Sequence, residues 1–184
     1  MESFMITLDF IGPIRFSDRE SLKEIPSNVN GVYLWCVRME NGDFHVYYIG
    51  EAKDIRKRLI THLRCQINGL YTAHDIEHLK HNELVIVHKA REGVVEPYKD
   101  INPKAYNQEF ADQLWVFYAS IDGSNVDKQL RCRYETGISN LVSANGNKIV
   151  FVGHLRHASN SGAQIMLKSK NGNIVGVTDK VLSV

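Results

Sequence analysis

Residues 31–39 and 44–49 are two runs rich in β-branched and aromatic residues, and Asn41-Gly42 lies between them. Asn-Gly is a strong signal for a two-residue type I′ hairpin, because both central residues of that turn need positive φ. A chain with this signal is committed to an antiparallel strand pair. With Asn41 and Gly42 as the central residues the register follows: Glu40 faces Asp43, Met39 faces Phe44, Trp35 faces Tyr48 and Tyr33 faces Gly50. Paired residues share a sheet face, and so do alternate residues along a strand. Tyr33 and Tyr48 therefore fall on one face, a diagonal step apart, and a one-residue slip would separate them.

Helical periodicity begins right after the hairpin. Ile55, Leu59, Leu63 and Ile67 recur at the spacing of an amphipathic helix, with Asp54 suited to its amino end. Arg58 and His62 are four residues apart and stack on one flank of that apolar stripe. Taken alone, they are equally an ordinary solvated helix face. Further on, residues 114–120 read as a strand, 122–125 as a turn and 127–142 as a second helix. Leu130, Tyr134, Ile138 and Leu141 form the buried stripe of that helix, and Glu135 lies beside it. Arg131, four residues before Glu135, offers a plain surface ion pair as the alternative use of that acid.

The order Gly31-Val32-Tyr33, Tyr48-Ile49-Gly50, Ala52-Lys53-Asp54, Lys57-Arg58 and His62 resembles the GIY-YIG endonuclease superfamily. Each tripeptide is weak evidence alone. Together with the turn between them and the offsets of Arg58 and His62, they are specific. The resemblance implies an α+β fold: a small central antiparallel sheet flanked by helices. Its core would be residues 28–67 and 114–148, with residues 1–27 an amino-terminal strand region, 68–113 a long insertion and 149–184 a carboxyl-terminal extension.

The same resemblance implies a metal-dependent endonuclease that leaves a 5′ phosphate and a 3′ hydroxyl. Tyr33 would be the general base, Arg58 the phosphate-binding cation, and Tyr48 and His62 hydrogen-bonding groups around the water and phosphate. Glu135 would hold Mg²⁺ (or Mn²⁺), a hard ion that keeps most of its waters where few protein groups bind it. An asparagine after the second helix completes the family pattern. Asn147 has the usual offset and Asn145 is the alternative, and both also suit an Asn-Gly turn. Glu51 departs from the pattern, since the family more often has a small or basic residue there.

Charge is read locally, because the chain of 184 residues carries a formal net charge of only +1. Lys53, Arg56, Lys57 and Arg64 surround Arg58 with Asp54 as the acid among them, and they are the expected contacts to a DNA backbone. A second basic group is Lys148, Arg156, Lys168, Lys170 and Lys180, whereas the acids gather at residues 75–112. Three cysteines, Cys36, Cys65 and Cys132, lack metal-ligand spacing and fit a reducing, cytoplasmic setting. No apolar run is long enough to span a membrane, and the amino terminus lacks a secretory pattern.

The remaining segments supply smaller expectations. Residues 4–11 read as a strand ended by Gly12-Pro13. The insertion holds a strand at 84–88 and a short helix at 105–113. His74, His78 and His81 stand at near-helical spacing, where a solvated helix competes with a metal site. Residues 149–152 read as a strand and 154–162 as a polar loop. A second hairpin is expected from strands at 164–168 and 173–177. Without a separate DNA-targeting domain, the expectation is a compact restriction-type enzyme acting on double-stranded DNA as a homodimer, one site per strand. The alternatives are a structure-specific repair or recombination nuclease and a binding module that has lost catalysis.

Overall fold

The computed structural model describes residues 6–121, 126–149 and 164–183. The elements in chain order are β1 (Ile6–Arg15), α1 (Arg19–Leu22), β2 (Gly31–Arg38), β3 (Phe44–Ala52), α2 (Ile55–Ile67), β4 (Ala73–His74), α3 (Ile76–Lys80), β5 (Ile86–Lys89), β6 (Gly93–Val94), α4 (Pro103–Asp112), β7 (Leu114–Ser120), α5 (Lys128–Ala144), β8 (Gln164–Ser169) and β9 (Lys180–Ser183). The fold is α+β, with a six-stranded sheet of order β3-β2-β7-β1-β8-β9 flanked by helices. The central strands β3-β2-β7-β1 are antiparallel, as expected, and the carboxyl-terminal hairpin joins them through the parallel pair β1 with β8. The insertion carries a small sheet of its own, β4-β5-β6.

The sheet separates two cores. On one face Tyr33, Trp35, Tyr47, Val116 and Tyr118 pack with Ile55, Leu59 and Leu63 of α2 and Phe110 of α4. On the other, Val32, Leu34, Ile49 and Phe117 pack with Tyr134, Ile138 and Val142 of α5. Alternation along each strand produces this division. Both long flanking helices start on an aspartate cap: Asp54 accepts from the Lys57 N–H and Asp127 from the Leu130 N–H.

The hairpin differs from expectation at its tip. Met39 and Asp43 close a three-residue loop, with Met39 N–H donating to the Asp43 carbonyl and Gly42 N–H to the Met39 carbonyl. Gly42 has φ +89°, and Asn41 is not in the left-handed region. This is the three-residue loop with glycine in the left-handed position, not the type I′ pair. The one-residue offset is cancelled by a bulge: Cys36 pairs Val46, but Trp35 pairs Tyr48. Tyr47 is the extra residue, so Tyr47 and Tyr48 both lie on the α2 face. Beyond the bulge Tyr33 pairs Gly50 and Gly31 pairs Ala52, the register expected from the sequence.

Two further expectations change. β1 runs through Gly12-Pro13 rather than stopping there, with a register shift between Ile11 and Ile14 that accommodates a residue without an N–H. The partner of β8 is β9 at Lys180–Ser183, not residues 173–177. Ile174 and Val177 are fully buried one helical turn apart, and Val177 and Thr178 N–H both donate to the Ile174 carbonyl. Their apolar character serves a buried turn. The expected strand at 149–152, apart from Ile149, lies outside the described residues, as do the turn at 122–125, the loop at 154–162 with Arg156, and residues 4–5.

Candidate active site

Among the described residues β3 is the edge strand of the sheet, and the candidate side chains gather along it. Tyr33 on β2 is fully buried with its ring across Gly50: a Cβ placed there would lie 2.3 Å from Tyr33 Oη. Glycine is what allows the phenol this position. Tyr33 Oη is hydrogen-bonded to His62 Nε2 at 2.8 Å, and His62 Nδ1 to Tyr71 Oη at 2.9 Å. His62 is 3% exposed. Burial, then the neighbouring Arg58 charge, lowers its pKa to about 3, so its ring is neutral. A neutral imidazole donates from one nitrogen and accepts at the other. When Tyr33 donates to Nε2, Nδ1–H donates to Tyr71, and the whole chain of bonds runs in one direction.

The two phenols respond to the same surroundings. Tyr33 is held well above the usual tyrosine range by burial and then by Tyr48, with Arg58 opposing and Glu135 adding to the rise. Tyr48 is raised by burial and then by Glu135, again against Arg58. Burial thus outweighs the Arg58 cation at both phenols. Arg58 itself is exposed and stands at the mouth of a cavity lined by Trp35, Tyr48, His62 and Tyr71.

Glu135 comes from the opposite face. Arg131, Glu135 and Ser139 form one row on α5 at intervals of four residues, and α5 packs chiefly against β3. Arg131 Nε donates to Glu51 Oε2 at 2.5 Å, and its Nη1 to Asn30 Oδ1 at 3.1 Å. Arg131 therefore anchors α5 to β3 through Glu51, the acid that departs from the expected pattern. One turn further on, the Glu135 carboxylate is close enough for its charge to act on both Tyr48 and Tyr33. Tyr33, Tyr48, Arg58, His62 and Glu135 are thus brought to one edge of the sheet from both of its faces.

Asn147 is placed differently. It is 6% exposed, donates from Nδ2 to the Val46 carbonyl at 2.9 Å and accepts from the Ile149 N–H at 3.0 Å. Both ends of its amide are occupied by backbone, so it pins the segment after α5 to β3. Asn145 caps α5, its Nδ2 donating to the Leu141 carbonyl. Lys53, Lys57 and Arg64 are exposed around α2, with Arg56 half-buried.

The histidines of the insertion do not cluster. His74 is buried on β4 with Nδ1 2.8 Å from Tyr47 Oη, His78 pairs with Asp75 at 2.9 Å and His81 ends α3. Among the described residues no three His, Cys, Asp or Glu side chains are gathered to hold an ion. A resident metal would rest on the Glu135 carboxylate and water, a donor set that suits Mg²⁺ and not zinc. Tyr71 and Gln66 escaped the sequence. Gln66 stands four residues after His62 and its burial was legible from that spacing, whereas Tyr71 reaches His62 only because the insertion folds back.

The arrangement gathers a cation, two phenols, a neutral imidazole and a carboxylate at one sheet edge. Part of the chain is similar to UvrABC system protein C from several bacteria. It is 29% identical over 128 residues to that of Shewanella frigidimarina, covering 68% of this chain and 20% of the relative. It is 28% identical over 125 residues to that of Shewanella denitrificans, covering 66% and 19%, and 29% identical over 82 residues to that of Pseudoalteromonas atlantica, covering 45% and 13%. The chain spans about a fifth or less of the length of these relatives. No family model and no solved structure matches the chain. Among the described residues no helix is long and apolar enough to cross a membrane.

Proposed function

We infer that this protein is a metal-dependent DNA endonuclease of the GIY-YIG type. The observation that carries this reading is the meeting of Tyr33, Tyr48, Arg58 and His62 with the Glu135 charge at the β3 edge. The likeness to UvrABC system protein C favours a repair-type nuclease that acts on distorted or branched DNA over the restriction-type enzyme expected from the sequence.

Glu135 would hold Mg²⁺, which when bound supplies positive charge beside the phosphate and the departing 3′ oxygen. Arg58, a permanent cation with several donors, binds the non-bridging phosphate oxygens. Tyr33 Oη receives a proton from the attacking water while its own proton passes to His62 Nε2. The water oxygen bonds to phosphorus, and the bond from phosphorus to the 3′ oxygen breaks. That oxygen then takes a proton from solvent, leaving a 3′ hydroxyl and a 5′ phosphate. Phosphate binding also favours the proton transfer. It neutralises Arg58, the second of the two causes that hold His62 unprotonated. Tyr48 orients the water, and Lys53, Arg56, Lys57 and Arg64 hold the flanking backbone.

The test is a nicking assay with Mg²⁺ on plasmid, on plain duplex oligonucleotides and on flap and bubble substrates. Glu135→Ala is expected to lose cleavage by on the order of a thousandfold while its circular dichroism and melting stay near those of the wild type. Near-normal cutting by that variant removes Glu135 from the mechanism. Sequence-defined cutting of plain duplex, with flaps and bubbles ignored, restores the restriction reading.

A further inference from the structure

Hydrolysis of a phosphodiester needs a polar groove, yet the space beside Tyr48 and His62 is an aromatic cavity of about 310 Å³. It is lined by Trp35, Tyr48, His62, Gln66, Tyr71 and Ala90 among others, with Arg58 on its rim. The rings form a contiguous platform. Trp35 and Tyr48 have centroids 4.8 Å apart, His62 and Tyr71 5.4 Å, and Trp35 and Tyr71 6.5 Å. One wall belongs to the core and the other to the insertion. Tyr71 is fixed by its bond to His62, and the Ala90 N–H donates to Thr72 Oγ1 at 3.3 Å. Trp35 is 3% exposed, and its Nε1–H has no hydrogen-bond partner among the described residues, although buried polar groups are nearly always paired.

Resting on the nuclease reading above, we propose that this cavity receives one unpaired nucleobase next to the phosphate being cut. The volume falls at the lower end of the range for small-molecule pockets, about 300–1,000 Å³. The walls are faces and edges of aromatic rings, the surface on which bases of single-stranded nucleic acid stack. A base inside a duplex cannot enter; it must be unpaired or swung out of the helix, which is easiest at a mismatch, lesion or junction. Arg58 at the rim ties the two functions together, because a phosphate held there leaves its neighbouring base at the cavity mouth. Polar groups in the walls are few, so stacking rather than base identity governs entry. The substrate class that follows is DNA already distorted at the cut. The insertion, which supplies Tyr71, Thr72 and Ala90, is the element that selects it.

The experiment measures cleavage by the full chain with Mg²⁺ on a bubble oligonucleotide. A tetrahydrofuran abasic unit is placed in turn at each position flanking the cut. One position is expected to lower kcat/KM about tenfold in the wild type, the scale of one lost base stack. Changing the base at that position among A, C, G and T is expected to have little effect. Ala90→Phe fills the cavity from the insertion side and leaves Tyr33, Tyr48, Arg58, His62 and Glu135 unsubstituted. It is expected to cut the intact substrate at the reduced rate and to show no further loss with the abasic unit. Cleavage that is indifferent to every abasic position overturns the proposal and leaves the nuclease standing. So does an Ala90→Phe variant that remains sensitive to the abasic unit. Absence of cleavage on every DNA tested overturns the nuclease reading itself. The abasic series uses the unaltered protein, so a folding defect in the variant does not decide the outcome.

Discussion

Two buried tyrosine–histidine pairs lie side by side on the α2 face of the sheet, Tyr33–His62 and Tyr47–His74. Each is joined by a 2.8 Å hydrogen bond. In both, burial raises the phenol and lowers the imidazole, to about 3 for His62 and about 4 for His74. As chemical units they are alike. Their neighbours differ. Burial is the cause of both shifts in the Tyr47 pair, whereas Arg58, Tyr48 and Glu135 all act electrostatically on Tyr33. A phenol bonded to a neutral imidazole is by itself a packing device. Charges arranged around it are what could make it a place where a proton moves under the influence of a phosphate.

The sharpest way to break that comparison is to remove each hydroxyl in turn. Tyr33→Phe is expected to slow Mg²⁺-dependent nicking by about a hundred- to ten-thousandfold, the usual contribution of a general base. Tyr47→Phe should nick near the wild-type rate. Both variants remove a buried phenol–imidazole hydrogen bond, so both should lose about 0.5–1.5 kcal/mol in urea unfolding. Equal effects on nicking would place the two pairs in the same structural category and remove Tyr33 from the chemistry. Arg58→Gln comes next and sharpens the contrast directly. Without that charge, burial alone lowers the His62 pKa, as it does that of His74, so it should rise from about 3 while staying below the ordinary histidine value. NMR titration of the two rings reads the shift. Nicking by the same variant should fall by about a hundred- to a thousandfold, because a donor to the developing charge is gone.

Gly50→Ala reaches one pair and spares the other. The added methyl would meet Tyr33 Oη at 2.3 Å and force the phenol off His62, and the three atoms nearest to it all belong to Tyr33. Overpacking of this kind costs about 1–3 kcal/mol. Nicking should drop by about a hundredfold for a displacement near 1 Å. A crystal structure of the variant with the Tyr33–His62 bond intact would show that glycine is not needed at that position.

Much of the core was legible because its signals are local. The spacing of Ile55, Leu59 and Leu63 and the Asp54 cap define α2 without reference to any other part of the chain. The alignment of Tyr33 with Gly50 was reached through two errors that cancel: a three-residue loop in place of the two-residue turn, and the bulge at Tyr47. The bulge left no mark in the sequence, because Val46-Tyr47-Tyr48 reads as uninterrupted strand and contains no glycine. Arg131 was weighed only against Glu135, its neighbour along the helix. Its partner, Glu51, is 80 residues away in the chain and is set by how α5 lies on β3. Tyr71 and Ala90 were silent for the same reason. Their place beside His62 depends on the path of a whole insertion, whose own strands are only two to four residues long. Ile174 and Val177 were misassigned because a buried turn and a buried strand draw on the same apolar residues.

The pH dependence of stability tests what the two pairs share. His62 and His74 are neutral in the folded protein down to about pH 3 and 4, whereas an unfolded chain protonates its histidines near 6.5. Between those values the unfolded state binds more protons than the native one. Stability is therefore full above about pH 6.5 and falls as the pH drops toward 4. Each ring contributes on the order of 2–3 kcal/mol of that loss. The expectation is a falling urea midpoint from pH 6.5 to 4.5 in the wild type. In His74→Asn the decline should be shallower, because one of the two protonating rings is gone, while nicking at pH 7.5 persists. His62→Asn should show the same shallower decline with nicking lost. If the slope is unchanged in both variants, the acid sensitivity lies elsewhere, and the likeness of the two pairs is geometric and not electrostatic.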